Sequence, residues 1–344
     1  MAARLPLMLS PNTPASAAQT PNIGSSEGRL GELANFFKAS ADQLRLQILR
    51  VLRNESFGVS ELCSLFDIRQ PAMSHHLKVL SGAGLVATRR EGNSIFYRRG
   101  APAQDNDLKS IHSQLLTSVD AIELPLKLNG RMASLYRQRE ENSRNFFAGN
   151  AHKFRQQQDL IAKYEQYGET VSQFMHDALP QHKEMALEVG SGDGAFLAQL
   201  SPRFQRVVAL DNAAEMLDKA RVFAAYNGLK NIDFIHGDTT SKHLEKRQAD
   251  CVVINMVLHH TPSPAQIFKD VASLLAPEGV VIVTDLCSHD QAWARENCGD
   301  LWLGFEPEDL SGWALEAGLA DIASVYLAQR NGFQIQVRLF GHPK

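Results

Sequence analysis

Residues 187–196 read Leu-Glu-Val-Gly-Ser-Gly-Asp-Gly-Ala-Phe and hold the side-chain types best suited to cradling a small ligand. An apolar run stops at Gly190, Gly192 and Gly194 follow, and a helical pattern of Phe196, Leu197 and Leu200 begins. Glycine is needed where the backbone takes positive φ or approaches a ligand closely. A helix start after such a turn aims unpaired N–H groups at whatever occupies it. A second apolar run, residues 206–210, ends in Asp211, 23 residues after Glu188. An acid at that strand tip is placed to accept both ribose hydroxyls of a nucleoside. An ordinary strand-to-helix turn explains the glycines but not the downstream acid. Two ligand classes therefore compete. The dinucleotide fingerprint is G-x-G-x-x-G; this chain has G-x-G-x-G, with Glu188 two residues ahead of it.

The elements that must hold this turn alternate regularly. Strands are expected near residues 185–189, 206–210, 232–235, 250–255 and 280–285, with helices starting over 212–217 and at 267–275 between them. A helix at 307–317 and two strands at 322–327 and 333–340 close the chain. Alternation of this kind implies a parallel sheet covered on both faces. With Glu188-Val-Gly190-Ser-Gly192-Asp-Gly194, Asp211-Asn212 and Gly237-Asp238-Thr239 in order, residues 183–344 resemble class I S-adenosylmethionine-dependent methyltransferases. The resemblance implies a Rossmann-like α/β domain binding S-adenosylmethionine or S-adenosylhomocysteine. It assigns the ligand to Glu188, Gly190, Gly192, Asp211, Asn212, Asp238, Thr239 and Asn255. His259 and His260 follow the fourth strand and are the nearby candidates for a general base. Capping and packing at the strand end is the alternative role, and the catalytic residues stay unassigned. The clustered cysteines of arsenite methyltransferases are not evident.

The first third of the chain has a different pattern. Ser40-Ala-Asp-Gln43 reads as a capping box, opening a helix with Leu44, Ile48, Val51 and Leu52 on one face. Ser60 caps a second helix with Leu62, Leu65 and Phe66 inward, and Asp67-Ile68-Arg69 turns the chain. Pro71 suits the first position of a third helix, with Met73, Leu77 and Leu80 inward and Gln70, Ser74, His75 and Lys78 on the other side. Residues 81–84 end it. Two alternating strands follow, at 85–90 and 94–99, joined at Glu91-Gly92-Asn93. This order is a winged helix-turn-helix. Ala41-Asp42-Gln-Leu-Arg45, Gln70-Pro-Ala-Met-Ser74-His75-His76-Leu77-Lys78 and Ala83-Gly84-Leu85-Val86 resemble the ArsR/SmtB family of repressors over about residues 29–120.

That resemblance implies a double-stranded DNA operator as partner. Gln70, Ser74 and His75 are the expected base-reading group, since Gln, Ser and His match base edges in the major groove, and Arg69 is expected beside them among the DNA-binding residues. Lys78, Arg89 and Arg90, with Arg98, suit phosphates, which position without reading sequence. Residues 36–100 hold 10 Lys/Arg against 5 Asp/Glu, whereas residues 183–344 hold 14 against 21. The overall charge of −3 hides this asymmetry, and a basic block is what a nucleic-acid-facing domain requires. No metal is expected. Cys63 lacks the second cysteine of the family's Cys-x-Cys pair, and Asp105, Asp107 and His112 lack a full ligand set.

Leu108, Ile111, Leu115, Val119 and Ile122 recur at helical spacing. In the family such a helix pairs two chains; packing within its own chain is a compatible alternative. Homodimerisation is expected. Residues 123–182 read as helices without strand signals, a connector and lid in which Tyr164 and Tyr167 close over the ligand or simply pack. Residues 1–28, rich in Pro, Ser and Ala, read as a disordered tail. The expected division is thus multidomain: tail 1–28, winged helix-turn-helix 29–122, helical connector 123–182 and methyltransferase-like domain 183–344. No apolar run reaches the ~18 residues of a membrane span, and the four cysteines show no paired spacing, so a cytoplasmic location is expected. The preferred function is a transcriptional regulator whose second domain binds the nucleoside as effector. The alternative is a small-molecule methyltransferase with an autoregulatory DNA-binding domain.

Overall fold

The structure is a computed structural model and describes residues 26–91, 94–100, 108–179, 183–244 and 248–343. Most of the expected tail, the tip of the expected hairpin turn, and Asp105 and Asp107 lie outside the described residues.

The N-terminal unit builds α1 (Ser26–Ser40), α2 (Gln43–Val51), β1 (Phe57–Gly58), α3 (Val59–Phe66), α4 (Gln70–Gly82), β2 (Val86–Glu91) and β3 (Ser94–Arg99). The expected capping box is displaced: Asp42 caps α2 by accepting the Arg45 N–H at 2.9 Å, while the Ser40 hydroxyl bonds back to the Phe36 carbonyl. A carboxylate two residues nearer the helix outcompetes the hydroxyl for its free donors. Ser60 likewise lies inside α3, whose start at Gly58 is held by the Glu61 carboxylate at 2.8 Å. Asp67, with φ of 60°, makes the left-handed turn into α4. Met73, Leu77 and Leu80 are buried beneath α4, and Arg69, Gln70, Ser74, His75 and Lys78 are exposed on it. The antiparallel sheet runs β1-β3-β2.

α5 (Leu108–Asp120) returns its stripe to its own chain. Val119 is buried in the winged-helix core with Leu108, Ile111 and Leu115 against it, whereas Ile122 is 63% exposed. Arg99 fixes this packing with paired bonds to Asp120 at 2.9 and 2.6 Å. The connector is helical as expected: α6 (Leu126–Asn150), α7 (Phe154–Ile161) and α8 (Tyr164–Ala178).

The C-terminal unit alternates as anticipated: β4 (Lys183–Val189), α9 (Leu197–Leu200), β5 (Phe204–Asp211), α10 (Ala214–Tyr226), β6 (Ile232–His236), β7 (Ala249–Asn255), α11 (Pro264–Leu274), β8 (Leu275–Leu286), α12 (Trp293–Cys298), α13 (Pro307–Glu316), β9 (Ala320–Ala328) and β10 (Gln334–Gly341). The seven-stranded sheet has the order β6-β5-β4-β7-β8-β10-β9. β4 to β8 are parallel, and β10 inserts antiparallel between β8 and β9. Val252, Val253 and Ile254 are fully buried, as strands covered on both faces require. One apolar cluster packs each face of the sheet. The second includes Phe96 of the wing strand β3, so the two units share a core at that point.

Candidate functional site

Strand order reverses across β4 and its neighbours β5 and β7, and a cavity opens at their carboxyl ends. That is where open α/β sheets place ligands. All eight residues expected to hold the nucleoside line this one cavity: Glu188, Gly190, Gly192, Asp211, Asn212, Asp238, Thr239 and Asn255. Gly190, Gly192 and Gly194 have φ of 69°, 55° and 85°. A Cβ on Gly190 would stand 2.5 Å from Val257, so both conformation and space demand glycine there. The helix after the turn is shorter than expected. α9 has a single turn, because Ser191 to Phe196 is spent on the loop itself. Little macrodipole reaches the ligand; the turn offers backbone shape and side chains instead.

Asp211 is already engaged. Its carboxylate accepts the Gly192 and Ala213 N–H groups, both at 2.9 Å, and so fixes the loop while facing the cavity. Burial lifts its carboxyl to about 6 against the pull of those bonds. Asp238 accepts the Thr240 N–H at 2.8 Å. Thr239 lines the wall, but its hydroxyl donates to Asp270 at 2.6 Å.

Other polar atoms on the wall are buried without partners: one Glu188 oxygen, the Ser191 hydroxyl, and both the nitrogen and the oxygen of the Asn255 amide. Burial pushes the Glu188 carboxyl well up, and Asp193 and Asp211 push it further. Orphaned buried polar groups mark a place where a partner belongs. Met256, next to Asn255, has φ of 55°, a conformation uncommon outside glycine and concentrated at functional sites.

The roof comes from the connector. Phe147 on α6 and Phe154 on α7 meet edge-on at 6.1 Å, and Phe154 lies over the Gly192 loop. Arg155 pairs with Asp193 at 2.8 Å. Tyr164 and Tyr167 line the cavity. Ser143, Gln158 and Pro262 also reach it. Sequence reasoning missed these, since no motif accompanies them; the aromatic pairing of 146–147 with 154 was their only trace.

His259 and His260 divide their roles. His259 is fully buried; its Nδ1 meets Asp285 at 2.8 Å and its Nε2 lies 3.9 Å from Asp300. Burial opposes its charge, yet the two carboxylates outweigh this and hold it up at about 8. His260 lines the cavity, with Nδ1 on the Gly299 carbonyl at 3.2 Å. Burial and the neighbouring His259 keep it neutral, well below the usual imidazole range. His259, His260 and Asp300 bring ligand-type atoms within 4.8 Å of one another. Asp300, 40 residues further on, gave no signal in the sequence. The His260 Nδ1 is committed to the Gly299 carbonyl, but the His259 Nε2 and both Asp300 oxygens are buried without hydrogen-bond partners, and burial lifts the Asp300 carboxyl to about 7.

On the winged helix, α4 presents Arg69, Gln70, Ser74, His75 and Lys78 on one exposed surface. Arg89 departs from the expected phosphate contact. Its guanidinium donates to the Gly304 carbonyl at 2.8 Å and is half-buried against the methyltransferase-like unit. Arg98 pairs there with Asp309. Arg90 is exposed. No local pattern signals these contacts, because the partners lie more than 200 residues away.

Residues 42–88 match the bacterial regulatory proteins of the arsR family, and residues 187–283 match the methyltransferase domain family. The first region is 43% identical over 76 residues to the biofilm growth-associated repressor of Agrobacterium fabrum, covering 22% of this chain and 65% of that protein. It is 38% identical over 76 residues to the transcriptional activator HlyU of Vibrio cholerae, covering 22% and 70%. A 150-residue stretch is 28% identical to the ubiquinone biosynthesis O-methyltransferase of Sodalis glossinidius, covering 39% of this chain and 59% of that enzyme. The chain thus spans less than two thirds of the first repressor and of the enzyme.

Proposed function

Because the chain belongs to the arsR family of bacterial regulatory proteins and carries a methyltransferase domain behind its winged helix, we propose that it is a DNA-binding regulator with S-adenosylhomocysteine or S-adenosylmethionine as effector. The observation that carries this reading is the acid-rich cavity with its unpartnered Glu188 and Asn255 atoms. Glu188, Asp193, Asp211 and Asp238 all line it, and its arginine, Arg155, is paired to Asp193. Such a wall repels the two phosphates of a dinucleotide and attracts an ammonium or sulfonium. Glu188 suits the ammonium of the amino-acid moiety, Asp211 and Asn212 the ribose, and Asp238 with Thr239 the adenine. Arg69, Gln70, Ser74, His75 and Lys78 form the DNA-reading face.

The same reading divides the chain at residues 29–122, 123–182 and 183–344 and makes it a cytoplasmic homodimer. No helix among the described residues is long and apolar enough to cross a membrane. α1 packs on α5 through Phe36 and His112, leaving Leu30 and Phe37 exposed at 66% and 52%. Apolar surface of this kind suits a second copy, whose recognition helix would lie about one DNA turn, roughly 34 Å, away.

One observation favours methyl transfer as a second reading: a neutral His260 on the cavity wall, whose Nε2 meets only the Gln158 amide nitrogen, at 3.5 Å. Methyl transfer needs mainly alignment of a nucleophile with the sulfonium methyl, so the residue would assist the acceptor rather than create the reaction. The test is operator affinity at fixed salt with each ligand saturating. A shift of about 5–150-fold is the ordinary range of such coupling, and DNA must change ligand affinity by the same factor. Unmoved affinity together with methylation of an acceptor would replace the regulatory reading with the enzymatic one.

A further inference from the structure

The wing of an arsR-type domain is expected to lie along DNA, yet here its basic side is occupied by the chain's own second domain. Arg98 on β3 pairs with Asp309, the third residue of α13, which also caps that helix by accepting the Glu306 N–H at 3.1 Å. Arg89 on β2 donates to the Gly304 carbonyl at 2.8 Å. Between them Phe96 is 9% exposed, edge-on to Trp302 at 5.8 Å, with the Arg295 guanidinium 5.0 Å over its ring. The acidic start of α13, Glu306, Glu308 and Asp309, offers these arginines what a phosphate backbone would: anionic and carbonyl oxygens.

We propose that the Arg89–Arg98 side of the wing is a shared surface, for which the start of α13 and the phosphates of double-stranded DNA compete. This rests on the DNA-binding reading above and goes beyond it by naming what must let go. The recognition helix and Arg90 stay exposed while the wing is held, so the closed protein meets DNA without Arg89 and Arg98. Release of the wing adds its arginines.

The hold is wired to the ligand cavity. Trp302, which Phe96 touches, donates its indole N–H to the Thr261 carbonyl at 2.8 Å, and the Leu301 and Trp302 N–H groups bond the His259 carbonyl at 2.9 and 3.1 Å. His260, Thr261 and Pro262 are cavity wall. A ligand that moves this segment moves the floor on which the wing rests.

The test uses the whole protein and a random-sequence DNA duplex, read by fluorescence anisotropy over a range of salt. Asp309→Asn keeps a cap acceptor for Glu306 and removes the charge that holds Arg98. It should bind duplex several-fold more tightly, with a salt slope steeper by about 0.9 for each arginine freed onto a phosphate. Arg98→Gln should abolish that gain in the double variant. In the unsubstituted protein, tryptophan emission should shift to the red as duplex is added, because Trp302, 3% exposed, loses Phe96. Equal affinity and slope for Asp309→Asn and the unsubstituted protein would overturn the competition. So would a gain that survives Arg98→Gln, which would reflect lost repulsion only, or an emission maximum that stays fixed with DNA bound. If neither protein bound duplex at any salt, the regulatory reading itself would fall, a separate outcome from a failed latch.

Discussion

Glu188 and Asp211 hold neighbouring places on the cavity wall, and their environments separate their roles. Asp211 spends its oxygens on the Gly192 and Ala213 N–H groups, so replacing it damages the loop as well as the ligand contact. Glu188 keeps an oxygen without a partner, and burial already works against its charge. Glu188→Gln should therefore weaken S-adenosylhomocysteine by about 1.5–3 kcal/mol, the scale of a hydrogen bond to a charged group, while leaving thermal stability equal or higher. Calorimetry and a melting curve check both halves; unchanged affinity would remove the ammonium from Glu188. Both acids were readable in the sequence because each ends an apolar strand at fixed spacing from a glycine turn. Asn255 ends an apolar strand too, but it is assigned only through the resemblance to the methyltransferase family. Arg139 was not readable. It is 7% exposed, forks onto Glu61 at 2.8 Å, reaches the Pro262 carbonyl at 3.3 Å and lies 4.7 Å over the Trp302 ring. Nothing local distinguishes it from the charged residues that follow it; only the tertiary fold brings these partners together.

At the scale of elements, α4 is the part of the proposed DNA face whose exposed and buried sides were legible in the sequence. Its apolar residues recur at helical spacing and Pro71 marks its start, so the opposite side could be named before any coordinates. Gln70→Ala and His75→Ala should lose discrimination between sequences by about 1–3 kcal/mol per base contact. Lys78→Ala should weaken all duplexes alike and lower the salt slope by about 0.9. Salt titrations on matched and mismatched duplexes separate the two behaviours, and identical responses would erase the division into reading and positioning residues. The wing shows where such legibility ends. Its strands alternate as expected, and β3 even pairs with β1 at Phe57–Tyr97. The periodicity of a strand says which side is polar, not whether DNA or another domain covers it. The displaced caps of α2 and α3 each rest on a carboxylate close by in the sequence: Asp42 takes the Arg45 N–H, and Glu61 takes the Gly58 N–H, which leaves Ser60 inside the helix.

Across the whole molecule, the winged helix and the methyltransferase domain meet at a buried acid. Glu55 is 8% exposed and accepts the Ser263 hydroxyl, next to the cavity-wall residue Pro262. Arg139 and Lys269 on the facing elements draw its pKa down and Glu61 raises it, but burial dominates and lifts it from 4.5 to about 7. A folded-state pKa above the unfolded one means that the folded protein holds the extra proton. The stabilisation is complete below about pH 4.5 and is lost as pH rises through 7. A shift of this size corresponds to an order of magnitude of 3 kcal/mol between those limits. Asp300, lifted to about 7, and His259, lifted to about 8, slope the same way, whereas His289, held down at about 4, and His260 slope the other way below about pH 6.5, so the intact protein should melt at progressively lower temperature from about pH 6.5 to pH 8. Glu55→Gln keeps an acceptor for Ser263 and cannot ionise. Its melting temperature should fall less steeply over that range, with the largest gain over the unsubstituted protein at pH 8. Parallel curves would mean that Glu55 does not titrate there. A flatter curve would locate part of the protein's pH sensitivity at the contact through which the ligand-binding and DNA-reading halves are joined.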